Sequence, residues 1–123
     1  MTDPPYTLEF YEDPEGHQPV RSWLRTALTS EERRTVGAAM RAILQAEGIG
    51  VCGTAFGRQL GGGLFEFRLR DEDLLVRIFC HAHGSRLILL LGGYDKGRDP
   101  SERRQNREIE TARAGLEEWR SRQ

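Results

Sequence analysis

The apolar and polar residues of this chain recur with two periods, one typical of strands and the other of helices. Residues 7–11 (TLEFY) alternate as a strand does, and the DPEG turn that follows ends it. Residues 20–28 (VRSWLRTAL) place their apolar side chains on one side of a short helix. Thr29 followed by Glu32 matches a capping box, which predicts that a second helix begins there and continues to Gly48.

The second half of the chain predicts a loop, three strands and a last helix. Six glycines within residues 49–63 predict the loop. The strands are residues 64–70, 74–81 and 86–94, joined by short turns and expected to be consecutive antiparallel neighbours. The third strand is apolar on both faces, so we expect it inside the sheet with cover on each side. Asp99 and Pro100 are the predicted cap and first-turn pair of the last helix, and the element order is β-α-α-β-β-β-α.

The register of the predicted hairpin places two arginines opposite each other. A two-residue turn at Glu72 and Asp73 makes every pair on one face apolar; these pairs are Phe65 with Cys80, Phe67 with Ile78, and Leu69 with Val76. The same register places Arg68 across from Arg77, and opposed like charges destabilise a sheet by about 0.2–1 kcal/mol. Two explanations are open: Glu66 neutralises the pair in a solvated ion network, or this face binds a phosphate.

Composition narrows the class of protein. A length of 123 residues predicts one domain, residues 1–123, and a net charge of −1 argues against an indiscriminate nucleic-acid binder. The two cysteines form neither a disulfide framework nor a CxxC metal site, which favours a reducing cytoplasm. The N-terminus lacks an export signal, and the longest aliphatic run, residues 87–91, is too short to span a bilayer, so no membrane association is expected.

Four stretches, in this order, carry a family resemblance: GLFEFR at 63–68, LLVRIF at 74–79, LILLLGGYDKG at 87–97 and REIETAR at 107–113. They resemble the "glyElR", "yRv", "i.LLhgF.KK" and "rEI..A" motifs of the HigB-like, phage Gp49-like branch of the RelE/ParE superfamily of type II toxins. The resemblance covers nearly the whole chain and implies an α+β fold, a small twisted antiparallel sheet packed with helices. Gly97 replaces the second lysine of the motif, Tyr94 stands where phenylalanine is commoner, and an insert of residues 97–106 (GRDPSERRQN) lies between the lysine and the helix.

The resemblance also implies a function. It implies the toxin of a type II toxin–antitoxin system, a ribosome-dependent mRNA endoribonuclease that inhibits translation, with an antitoxin of the helix-turn-helix type as partner. Cleavage by attack of the ribose 2′-hydroxyl on the adjacent phosphate needs a pocket that binds the phosphate and stabilises its added charge. We expect neither a metal nor a cofactor to take part.

The residues for this chemistry are assigned by the motifs and by strand parity. Arg68 and Arg77 match the motif arginines and are expected to stabilise the oxyanion. Lys96 matches the first motif lysine and is expected to bind the backbone or assist proton transfer. His81 and Tyr94 are the candidate acid and base. The candidate RNA-binding residues are Arg70, Arg98, Arg103 and Arg104.

Two other functions stay open at this point. The ParE side of the superfamily resembles a non-enzymatic poison that acts through a protein target such as gyrase. Alternatively, a degenerate member of the fold retains only antitoxin binding. Loss of mRNA, a DNA-damage response without loss of mRNA, and absence of toxicity distinguish the three.

Overall fold

The computed structural model describes residues 3–123, so residues 1 and 2 of the predicted domain lie outside the described residues. A five-stranded sheet lies between two helical layers. In chain order the elements are β1 (Thr7–Phe10), α1 (Pro19–Thr26), α2 (Ser30–Ala39), α3 (Gln45–Glu47), β2 (Gly57–Gly61), β3 (Leu64–Asp71), β4 (Leu74–His83), β5 (Leu87–Asp95) and α4 (Glu102–Ser121). None of these helices combines the length and hydrophobicity that a bilayer span requires. The α+β class is confirmed.

The strand order is β1-β5-β4-β3-β2, and the sheet is mixed. The predicted all-antiparallel sheet is wrong at one edge, where β1 pairs with β5 in parallel. A parallel neighbour requires a long crossover connection, and here the helices and the other strands supply it. The predicted loop is wrong for Gly57–Gly61, because β2 pairs there with β3. Gly62 and Gly63 close this extra hairpin at φ values of 64° and 87°, which glycine adopts readily.

The helix ends follow their capping residues. The predicted capping box is confirmed: the Thr29 hydroxyl accepts from the Glu32 amide, and the Glu32 carboxylate accepts from the Thr29 amide. The helical backbone continues from α2 through a π-helical turn (Met40–Leu44) into α3, which ends before Gly48. The predicted cap of the last helix is wrong: Ser101 caps α4, whereas the Asp99 carboxylate accepts from the Ser101 amide and lies outside the helix.

Two apolar clusters cover the two faces of the sheet. One contains side chains from α1 and α2 with Phe65, Phe67 and Ile78, and the other contains side chains from α4 with Leu64 and Phe79. As predicted, β5 is an interior strand that contributes to both clusters. Because successive side chains of a strand point to opposite faces, Glu66, Arg68 and Arg77 lie on the α4 face. The candidate site is therefore on that side of the sheet.

Candidate functional site

The β3–β4 hairpin has the register that the sequence predicts. Asp71 pairs with Leu74 across the Glu72–Asp73 turn, and the three apolar pairs form as expected. Arg68 lies directly opposite Arg77. The two guanidinium groups are therefore on one face of the sheet, and something anionic has to separate them.

Glu66 supplies that anion from inside the protein. Its side chain is 0% exposed, whereas the Arg58 and Arg68 side chains around it are 45% and 32% exposed, so the carboxylate is buried and the arginines that pair with it still reach solvent. Its Oε2 accepts from Nε of Arg68 at 2.8 Å and from Nε of Arg58 at 3.1 Å. Nε of Arg77 is 3.9 Å from the other oxygen, Oε1, which is an ion pair but too long for a hydrogen bond.

Arg58 belongs to this cluster, although sequence reasoning placed it in a loop. It lies in β2 directly opposite Glu66. The signal that could have identified it is the pair of glycines at 62 and 63 directly before the predicted strand at 64–70, since paired glycines are typical of the turn of a tight hairpin. Three guanidinium groups around one carboxylate leave the cluster with a formal charge of +2.

A cleft of about 460 Å³ lies between this cluster and the first turns of α4. Arg58, Arg68 and Lys96 line one side of it, and their side chains come from three different strands or strand ends. The α4 side consists of Pro100, Glu102, Gln105, Asn106 and Ile109. Two of the predicted catalytic residues, Arg68 and Lys96, are therefore brought together at one opening, with Arg58 beside them.

Arg77 and Tyr94 lie deeper, and the two are cross-strand partners. Burial is the main cause that lowers the pKa of the Arg77 guanidinium, and the negative charge of Glu66 acts in the opposite direction. Tyr94 is 0% exposed, stacks on Phe79, and is covered by the Arg104 guanidinium 5.3 Å from its ring centre. Burial, followed by the charge of Glu66, raises the pKa of Tyr94, so this hydroxyl is protonated at neutral pH.

The Tyr94 hydroxyl has no hydrogen-bond partner within residues 3–123. We expect Tyr94→Phe to leave stability unchanged or to raise it by up to about 1 kcal/mol, because it removes a buried hydroxyl whose desolvation is not offset. Urea denaturation measures the change. A loss of more than about 1 kcal/mol would contradict this expectation.

Tyr11→Phe is the matched control for Tyr94→Phe. The Tyr11 hydroxyl donates to Glu118 at 2.6 Å, and burial followed by this contact raises its pKa to about 12. Removing the hydroxyl should cost about 1–2 kcal/mol. The contribution of this hydroxyl to stability is fully present below pH 10.0, the ordinary pKa of tyrosine, and is lost as the pH rises through about 12.

His81 is not brought to the cleft. It shares the face of Arg77, as parity predicts, but it is four residues further along β4, roughly 13 Å away at the usual rise of a strand. The side chain is 8% exposed, its Nδ1 is 2.7 Å from the Gly63 carbonyl oxygen, and its ring packs against the edge of Trp119.

The predicted RNA-binding arginines have different surroundings. One terminal nitrogen of Arg98, Nη2, donates to both carboxylate oxygens of Glu32 at 2.9 Å, and its Nε lies 3.3 Å from Asp95, so Arg98 links the β5–α4 connection to the start of α2. Arg104 contacts Glu108 at 2.8 Å and covers Tyr94. Arg70 at the end of β3 and Arg103 on α4 are exposed. Their assignment to RNA binding stays a prediction.

Asp95 is a site residue that sequence reasoning missed. It is 8% exposed, and its Oδ1 accepts from the amides of Leu75 and Gly97 at 3.0 and 2.9 Å. These bonds tie the segment that carries Lys96 to the start of β4. Among residues 3–123, no cluster of three or more His, Cys, Asp or Glu side chains forms a metal-ligand set.

Comparison with known proteins agrees with the motifs. The family described as phage-derived protein Gp49-like (DUF891) matches residues 22–117, well over half of the chain, and this segment includes β2 to β5 and the cleft. No curated protein matches the chain. The predicted resemblance is thereby confirmed, and the chain belongs to the phage-derived Gp49-like family, a family of RelE/HigB-like toxins.

Proposed function

We propose that this Gp49-like protein is a ribosome-dependent mRNA endoribonuclease, the toxin of a type II toxin–antitoxin system. Membership of the family is consistent with a toxin and generally implies an antitoxin partner. The ribonuclease activity, the ribosome-bound mRNA substrate and a helix-turn-helix antitoxin are the parts that we add.

One observation carries the proposal: Glu66 occupies only the Nε edges of Arg58 and Arg68. Both bonds to its Oε2 come from Nε, and the two side chains are 45% and 32% exposed. For the terminal nitrogens of these two arginines, no hydrogen-bond acceptor is found within residues 3–123. The carboxylate therefore reduces the repulsion without using the part of each guanidinium that suits a phosphate. Neutralisation of the arginines by Glu66 and binding of a phosphate, the two explanations drawn from the sequence, are therefore compatible.

The chemistry follows from the charges at the cleft. The 2′-oxygen attacks the adjacent phosphorus, the bond to the 5′-oxygen breaks, and the products are a 2′,3′-cyclic phosphate and a 5′-hydroxyl. Arg58 and Arg68 stabilise the charge that develops on the phosphoryl oxygens. Glu102, a carboxylate that lines the same cleft, accepts the 2′-hydroxyl proton, and Lys96 donates to the departing 5′-oxygen. Arg77, whose Nε lies 3.9 Å from Glu66 Oε1, adds positive charge beside these two arginines.

Induced expression of the wild-type chain tests the function. We expect growth to stop within a generation and primer extension to detect new 5′ ends inside translated mRNA, but not in an untranslated transcript of the same sequence. Growth arrest with a DNA-damage response and intact mRNA would favour a protein target instead. Soluble, folded protein without any toxicity would favour a non-catalytic binding role.

A further inference from the structure

Glu66 has a position that phosphate binding by itself does not explain. It is the centre of three arginines from three neighbouring strands: Arg58 lies opposite it in β2, Arg68 is two residues along β3, and Arg77 is on β4. A fully buried carboxylate is costly unless it is paired and hydrogen-bonded. Placing one within a phosphate site also removes one unit of the positive charge that attracts the substrate. A site selected only for affinity would not contain it.

What Glu66 provides is geometry. Arginine side chains have several rotatable bonds and lose about 2 kcal/mol of rotamer entropy when they are fixed. A shared oxygen that accepts from Nε of both Arg58 and Arg68 fixes the two planar groups next to each other before any substrate binds. Because the bonds use Nε, the terminal nitrogens of both groups are left for the ligand. Because the two guanidinium groups are already in position, they need not reorganise when negative charge develops on the phosphate.

The unused oxygen of Glu66 extends this arrangement to the third arginine. Glu66 Oε1 and Arg77 Nε are both buried without a hydrogen-bond partner in the described part of the chain, and they are 3.9 Å apart. The Arg77 terminal nitrogen Nη1 donates to the Val76 carbonyl oxygen at 3.2 Å. A small movement of either side chain would complete the missing bond. Glu66 therefore aligns two arginines directly and lies beside the third.

We propose that Glu66 is a positioning residue of the cleavage reaction, one that orients Arg58 and Arg68 toward the scissile phosphate and lowers affinity for RNA in exchange for rate. This inference rests on the proposed ribonuclease function. It predicts that, in Glu66 variants, the maximal cleavage rate and the affinity for RNA change in different directions or by very different factors. If Glu66 only supported the fold, its replacement would lower the cleavage rate and the affinity for RNA together, in proportion to the loss of folded protein.

The test compares Glu66→Gln and Glu66→Asp with the wild-type chain on ribosomes programmed with mRNA, under single-turnover conditions. Glu66→Gln removes the charge and keeps the shape, whereas Glu66→Asp keeps the charge and withdraws it by one methylene. Misplacement of reacting groups by about 1 Å costs about 10²-fold in rate, and we expect a maximal rate lowered by that order in both variants. The half-saturating ribosome concentration should change by less than about threefold, and should fall for Glu66→Gln because the cluster gains one positive charge.

Glu110→Gln on the exposed surface of α4 is the matched control, and it should match the wild type in rate and affinity. Circular dichroism melting of every variant measures the folded fraction, to which each rate is normalised. Wild-type rates in folded Glu66→Gln and Glu66→Asp would overturn the proposal. So would parallel losses of rate and affinity, or failure of both variants to fold.

Nuclear magnetic resonance of the arginine Nε–Hε groups gives a readout that does not depend on cleavage. In the wild type, the Arg58 and Arg68 signals should be protected from solvent exchange, and in Glu66→Gln they should shift and lose that protection. If the wild type does not cleave mRNA, the proposed function fails and the catalytic part of this inference fails with it. Unprotected Nε–Hε signals in an active wild type would overturn the positioning role alone.

Discussion

Replacing Arg68 with alanine should abolish toxicity. The substitution removes one of the two guanidinium groups that face the cleft, and it deletes the shorter of the two bonds to Glu66, at 2.8 Å. Loss of one group that stabilises a developing oxyanion costs about 10²–10³-fold in rate. The expected result is normal growth on induction and a fall of that size in mRNA cleavage, measured by primer extension and by single-turnover rates on programmed ribosomes. Arg68→Lys keeps the positive charge but lacks the planar pair of nitrogen donors that can bind two phosphate oxygens, so it should recover only part of the rate.

Arg34→Ala is the control for Arg68→Ala, since Arg34 is an exposed arginine on α2 and does not line the cleft. It should retain full toxicity and full cleavage. Because Arg68→Ala removes a partner of a buried carboxylate, circular dichroism melting of both variants measures the folded fraction to which each cleavage rate is normalised. Undiminished cleavage by folded Arg68→Ala would remove the central residue of the proposed mechanism.

Restoring the missing family lysine should damage the protein rather than activate it. Gly97 stands where the motif has its second lysine, and a Cβ placed there would clash with the backbone carbonyl oxygen of Asp73 in the β3–β4 turn. Even without that clash, the new atom would lie 3.0 Å from the Asp95 carboxylate, which accepts from the Gly97 amide. Because backbone atoms cannot move aside cheaply, Gly97→Lys should lower the free energy of unfolding by about 1–3 kcal/mol.

Urea denaturation measures this loss, and mRNA cleavage by the same variant should not exceed that of the wild type. Gly97→Ala should show most of the destabilisation, since the first side-chain atom causes the clash. Gly50→Ala is the matched control, because a Cβ at Gly50 would meet only the Glu47 side chain, at ordinary contact distances from 3.8 Å. Stability equal to wild type in Gly97→Lys, with faster cleavage, would mean that the β3–β4 turn yields easily and that lysine at this position is compatible with the fold.

The sequence predicted the β3–β4 hairpin correctly because its information is local. A two-residue turn and the alternation of apolar residues leave one register in which all apolar side chains share a face, and a shift by one residue would bury Arg77 opposite Phe67. The same reasoning identified β5 as an interior strand, since its residues are apolar on both faces. It missed β2, because a short strand rich in glycine lacks the apolar alternation that marks longer strands.

The parallel pairing of β1 with β5 had no local signal. Which distant strand lies beside which is decided by the path of the chain over the whole sheet, and neither segment contains that information alone. For the same reason, the sequence could not place His81 near Trp119 or Arg98 against Glu32. Trp119 and Glu32 lie far from His81 and Arg98 in sequence, so no local pattern indicates either contact.

The amino-acid sequence by itself determined the hairpin register, the apposition of Arg68 and Arg77, the α+β class and the family, because turns, alternation and motifs are properties of short segments. Only the tertiary structure decided what lies between the two arginines. It brought Arg58 from a separate strand to the buried carboxylate of Glu66, and it placed Arg58 and Arg68 along one side of a cleft whose other side includes α4. Burial and the convergence of side chains depend on all the neighbouring elements together, so they exist only in the folded chain.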